Sequence, residues 1–118
     1  MSAVERLFAV TRIRGPAWDP SMAMEAQADW QAHAMFMNRL HAEEFVLLGG
    51  PLDGTPDVLL IVRAGHPAEI EQRLSEDPWS GNGLLKTVQV RPWTLRLGAL
   101  GGPGRRSRVG ALFASVHA

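Results

Sequence analysis

An α+β domain, with one antiparallel sheet and two helices on a single face of it, is the fold this sequence predicts. Three observations carry that expectation. Short apolar, partly β-branched runs are bounded by Gly and Pro, two stretches carry apolar residues at helical spacing, and the two kinds alternate in the order β-α-β-β-α-β.

Leu7 to Ile13 (LFAVTRI) alternates imperfectly and is closed by Gly15-Pro16, which predicts a first, central strand. After Asp19-Pro20, Ser21 to Glu44 contains neither Gly nor Pro and is rich in Ala, Met, Gln and Glu, so it predicts one long helix with Ser21 as its cap. Trp30, Ala34, Met37 and Leu40 form its apolar stripe, and His33 falls on or beside that stripe. Phe45 to Leu48 (FVLL), ended by Gly49-Gly50-Pro51, and Asp57 to Arg63 (DVLLIVR) predict a hairpin around Asp53-Gly54. Pro67 suits the first turn of a short helix reaching Glu76, with Ile70 and Leu74 four apart on one face. Leu84 to Leu97 is mostly alternating and predicts a last strand, with an edge or bulge at Pro92, which cannot donate to a sheet ladder. This order is the ferredoxin-like split βαβ arrangement. It leaves one sheet face bare, and stacking that face on a second copy would bury it, so a homodimer through sheet faces is expected.

The chain of 118 residues suits one core, assigned to residues 1–97, with 98–118 as a flexible basic extension rich in Gly and Arg. Residues 1–97 carry nine basic and twelve acidic side chains, and the tail adds Arg105, Arg106 and Arg108, a distribution that argues against nucleic-acid binding. No apolar run approaches the roughly 20 residues of a membrane span, and Met1 to Glu5 does not resemble a signal peptide, so no membrane role and a cytoplasmic location are expected. With no cysteine, thiol nucleophiles and thiolate metal sites are excluded. No metal is expected, because His33, His41 and His66 do not stand at ligand spacings with carboxylates, and no cofactor is expected either.

Two residues carry the candidate chemistry. A neutral imidazole held by a carboxylate is a general base suited to neutral pH, and His33 with Asp77 can form that pair. His33 is equally readable as a packed helix histidine, and Asp77, in Asp77-Pro78, as a turn residue bonding backbone amides. Trp30, Phe36 and Met37 are candidate apolar walls, and Gly50 and Pro51 a strand end permitting close approach to a cleft. Gly49-Gly50-Pro51 lacks the Lys-Ser/Thr of a phosphate loop. Trp79 can close a pocket over a flat ligand or, like Trp93, fill core, and Arg91 can anchor an acid or pair with one on a neighbouring strand.

Six motifs in order, HAMFM from His33, GGPL from Gly49, LLIVRA from Leu59, DPW from Asp77, GLL from Gly83 and VRPW from Val90, resemble the YCII-related (YciI-like) family over roughly residues 5–97. The resemblance implies a dimeric α/β barrel built from ferredoxin-like subunits, and a His/Asp active site carried here by His33 and Asp77. It implies no substrate, since the wider superfamily hosts lactone isomerases, small monooxygenases and enzymes of ring-derived metabolites. The expected function is a small cofactor-independent isomerase or lyase acting by proton transfer on a small cyclic or aromatic-derived metabolite. The alternative is a non-catalytic dimeric module that binds such a molecule or serves as an accessory protein.

Overall fold

The computed structural model describes residues 5–99. Its strands are β1 (Arg6–Arg14), β2 (Val46–Pro51), β3 (Asp57–Ala64) and β4 (Leu85–Trp93), and its helices α1 (Trp30–Ala42), α2 (Pro67–Leu74) and the single turn α3 (Pro78–Gly81). All strand pairs are antiparallel, in the order β2-β3-β1-β4, so β1 is central and the α+β architecture is compatible with the ferredoxin-like class. The basic extension assigned to 98–118 lies, from residue 100 onward, outside the described residues. No helix among the described residues is long and apolar enough to cross a membrane.

The two-residue period of β1 decides which face meets the helices. Phe8 and Val10 are fully buried and pack with Leu60 and Val62 of β3, with Phe36, Met37 and Leu40 of α1 and with Ile70 and Leu74 of α2. The alternate residues Leu7, Ala9 and Ile13 face the other way with Leu59, and only part of their surface is covered. A smaller cluster of Trp30, Ala34, Trp79, Leu84 and Leu85 ties the start of α1 to the α3–β4 junction.

Several predicted boundaries move. The long helix from Ser21 to Glu44 is instead α1 alone, preceded by turns and one 3-10 turn at Met24–Ala26. Good helix formers lose here to a side chain. Gln27 is buried and donates from Nε2 to the carbonyls of Asp19 and Met22 at 2.7 and 3.2 Å while Oε1 accepts from the Asp19 amide at 3.1 Å, which holds the segment in a loop. Ser21 does not cap α1; its amide and hydroxyl both donate to Asp19 Oδ1. The residue before α1 is Asp29, in left-handed backbone at φ 61°, whose Oδ2 accepts from Asn82 rather than from its own helix. At the other end Glu44, at φ 63°, closes a Schellman-type stop in which the Phe45 amide bonds the Leu40 carbonyl at 3.0 Å.

Gly49 to Pro51 continue β2 instead of ending it, since a Cβ on Gly49 would lie 2.6 Å from the Leu60 side chain and its absence lets the strands close up. Pro92 sits on an edge strand as expected, but the bulge is elsewhere. Thr11 pairs with Gln89 and Arg12 with Thr87, leaving Val88 as the extra residue. β4 stops at Trp93 and α2 at Leu74, short of the predicted Leu97 and Glu76.

The end of β1 is clamped to the α3–β4 junction by two glycines. The Gly15 amide bonds the Leu84 carbonyl at 2.9 Å, and a Cβ on Gly15 would stand 2.3 Å from the carbonyl oxygen of Gly83, itself at φ 83°. Backbone cannot step aside as a flexible side chain can. Gly15→Ala is expected to lower stability by about 1–3 kcal/mol in denaturant titration, whereas Gly81→Ala, with open space around it, leaves the midpoint unchanged or higher.

Candidate functional site

Asp77 follows α2 and stands at the N-terminus of α3, where the fixed φ of Pro78 favours the first helical position. Its Oδ1 accepts from the Trp79 amide at 2.9 Å, so the capping role foreseen for an Asp-Pro turn is present. The same carboxylate does more. Arg12 of β1 donates from Nη1 to Oδ2 at 2.8 Å, and His33 of α1 places Nδ1 2.9 Å from both oxygens. Asp77 and Arg12 are each 1% exposed and His33 6%. Arg12 is held from its other side by Nη2 donating to Ser80 Oγ at 2.6 Å, and that hydroxyl donates in turn to the Leu74 carbonyl at 2.7 Å.

Burial alone would push the Asp77 carboxyl up, but the hydrogen bonds and charges of His33 and Arg12 outweigh it and hold the group below the ordinary carboxylate value. Asp77 is therefore ionised at neutral pH. An ionised carboxylate only accepts, so His33 Nδ1 donates to it, and Nε2 is the ring nitrogen that takes no part in that contact. The ring is fixed in plane as well. It stacks on Trp79 with centroids 3.9 Å apart and planes 6° from parallel. Trp79 is anchored by its indole N–H, which donates to the Ala28 carbonyl at 2.6 Å, and its ring meets Trp18 edge-on at 5.5 Å.

Beside this cluster lies a pocket of about 230 Å³ between α1, the inner sheet face and the loop before α1. His33 and Trp79 line it, together with Met37, Gly50 and Pro51 from the residues singled out in the sequence. Asp77 does not reach it and stands behind His33. The remaining candidates lie elsewhere. Trp30 packs against His33 and Trp79, centroids 5.9 and 5.6 Å away, without lining the pocket. Phe36 belongs to the main core, on the helix side of the sheet. Arg91 is exposed on the edge strand opposite Ala9, on the other face.

Sequence reasoning passed over Arg12, Arg14 and Trp18, and weighed His41 only as a metal ligand. Arg12 left a signal, because it shares the parity of Phe8 and Val10 and so interrupts the inward face of a central strand with a charge. His41 stands eight residues after His33 on α1, lines the same pocket and donates from Nδ1 to the Val46 carbonyl at 2.9 Å. Among the described residues no three His, Asp or Glu side chains converge as a metal would require. Comparison with known protein families, with curated proteins and with solved structures gave no match.

Removing the Asp77 charge leaves Arg12 buried and uncompensated. Asp77→Asn is expected to cost about 3–5 kcal/mol in denaturant unfolding. Because the folded carboxyl titrates below its ordinary value of 3.8, its contribution to stability is complete above that pH and is lost as the pH falls further, through the folded value. The acid limb of the wild-type stability profile below pH 3.8 should accordingly be shallower in Asp77→Asn, followed by thermal melts between neutral and acid pH.

Proposed function

We propose that the chain is a YCII-related (YciI-like) protein acting as a small cofactor-independent enzyme of isomerase or lyase type. In this reading His33 Nε2 takes a proton from an activated carbon or hydroxyl of a small cyclic or aromatic-derived metabolite, and later returns it. Asp77 is a positioning residue: it fixes the tautomer and stabilises the imidazolium as the proton arrives. The observation that carries the reading is the buried His33–Asp77 contact of 2.9 Å directly behind an apolar pocket that His33 itself lines. A base so placed is shielded from bulk water and already oriented, so little reorganisation accompanies proton transfer.

The ring system supports a second reading from another class. Trp18 and Trp79 give the pocket two aromatic walls at 89° to one another, a geometry that also suits a binding or accessory module that holds a flat molecule without turnover. Solvent-deuterium incorporation separates the two. Across a panel of cyclic ketones, aryl keto acids and phenols, the enzyme reading expects at least one compound whose exchange is catalysed by wild type and falls by about 10²–10⁴-fold in His33→Gln. Exchange equal in wild type and variant for every compound, with binding retained, leaves the module.

The reading includes a homodimer through the open sheet faces, and with it the dimeric barrel. Leu48 and Trp93, each 41% exposed, extend the apolar patch of Leu7, Ala9, Ile13 and Leu59, and covering such a patch is favoured by about 25 cal/mol per Å². Analytical ultracentrifugation is expected to give the mass of two chains, and that of one chain for Leu59→Arg. A single-chain mass for wild type rejects the dimer.

A further inference from the structure

The charges around the pocket are one-sided. Among the described residues, its lining contains two arginines and two histidines and no Asp or Glu. One of the two cations is already neutralised, because Arg12 is buried against Asp77 at 2.8 Å. The other is not. Arg14 lies two residues further along β1, on the same face by strand alternation, is exposed, and has no carboxylate partner among the described residues.

Arg14 is nonetheless held in place. Its backbone amide bonds the Pro56 carbonyl at 3.0 Å, and its guanidinium lies 4.3 Å above the Trp18 ring. Trp18 meets Trp79 at 5.5 Å and Trp79 stacks on His33 at 3.9 Å. A continuous series of flat groups thus runs from a cation at the mouth of the pocket to the imidazole inside it. A guanidinium presents paired N–H donors that match a carboxylate, and stacking on an indole leaves its edge available to form those bonds.

We propose that the pocket takes a small aromatic or alicyclic carboxylate, its anionic group bound by Arg14, its ring against Trp18, Trp79 and Met37, and its acidic C–H or O–H turned toward His33. The last clause rests on the general-base reading; the anion subsite stands on the charge and geometry of Arg14 alone. Arg14 is a binding residue that sets the charge of the ligand, and takes no part in moving the proton.

The test compares phenylacetate with its uncharged isostere phenylacetamide by isothermal titration calorimetry on wild type, Arg14→Gln, Arg14→Lys and His33→Gln. Arg14 is exposed, so its variants are expected to fold, which circular dichroism verifies. Wild type should bind the acid roughly tenfold tighter than the amide, as one charge-assisted contact allows. Arg14→Gln should lose that preference while keeping the amide affinity, Arg14→Lys should restore part of it, and added salt should erode it in wild type. Equal affinities in wild type, a preference surviving in Arg14→Gln, or no saturable binding of either probe each overturns the proposal. His33→Gln keeps the two readings apart: preserved acid preference with exchange unaffected removes the base and leaves the anion subsite. His33-dependent exchange on uncharged carbon acids, with no acid preference, removes the subsite and leaves the base.

Discussion

A carboxylate buried in the middle of the molecule sets the terms for everything around it. Removing an ionised group of this kind from water costs several kcal/mol even after relaxation, and the cost is offset only when its lone pairs are filled by well-placed donors. Asp77 receives three, from the Arg12 guanidinium, the His33 ring and the Trp79 amide. They come from the central strand, from the first helix and from the short helix that Asp77 itself begins. Sheet and helices must therefore meet in one arrangement for any of the three to be satisfied, and fold and candidate site share a single constraint.

Arg12 is what separates the positioning of the imidazole from charge at the pocket. With the guanidinium directly against it, the carboxylate is compensated inside the core and stands out of reach of anything in the cavity. The pocket is left with an oriented imidazole, apolar and aromatic walls, and a cation at its edge. Those are the elements on which the proton-transfer reading and the choice of an anionic ligand both draw. The close approach of Gly15 to Gly83 serves the same arrangement, since it fixes the end of the strand carrying Arg12 to the segment carrying Asp77, Trp79 and Ser80.

Much of this was legible before any coordinates. A compact apolar run with β-branched residues, such as that of Asp57–Ala64, and the amphipathic turn pair Ile70 and Leu74 declare themselves because local backbone preference and burial agree there. The segment from Ser21 to Ala28 does not, because its helix-forming composition is overruled by Gln27, a single side chain that reaches back to Asp19 and Met22. The pocket walls were only partly legible. Met37 and Trp79 stand on it, yet Phe36, one position from Met37 on the helix, turns into the main core, and Arg91 lies across the sheet. A helix advances about 100° per residue, so neighbours in sequence diverge in space, and a motif cannot say which of them meets a cavity.

The sequence by itself determined the alternation of strands and helices, and two residues chemically suited to act together, because each of these follows from local periodicity or side-chain type. Only the tertiary structure decided that His33 and Asp77 touch, that Arg12 completes their contact and that Arg14 and Trp18 share the pocket with them. The physical reason is distance along the chain: 44 residues separate His33 from Asp77 and 65 separate Arg12 from Asp77. Contacts across such intervals are fixed by how the sheet and helices pack as a whole, and no local pattern in the sequence records them.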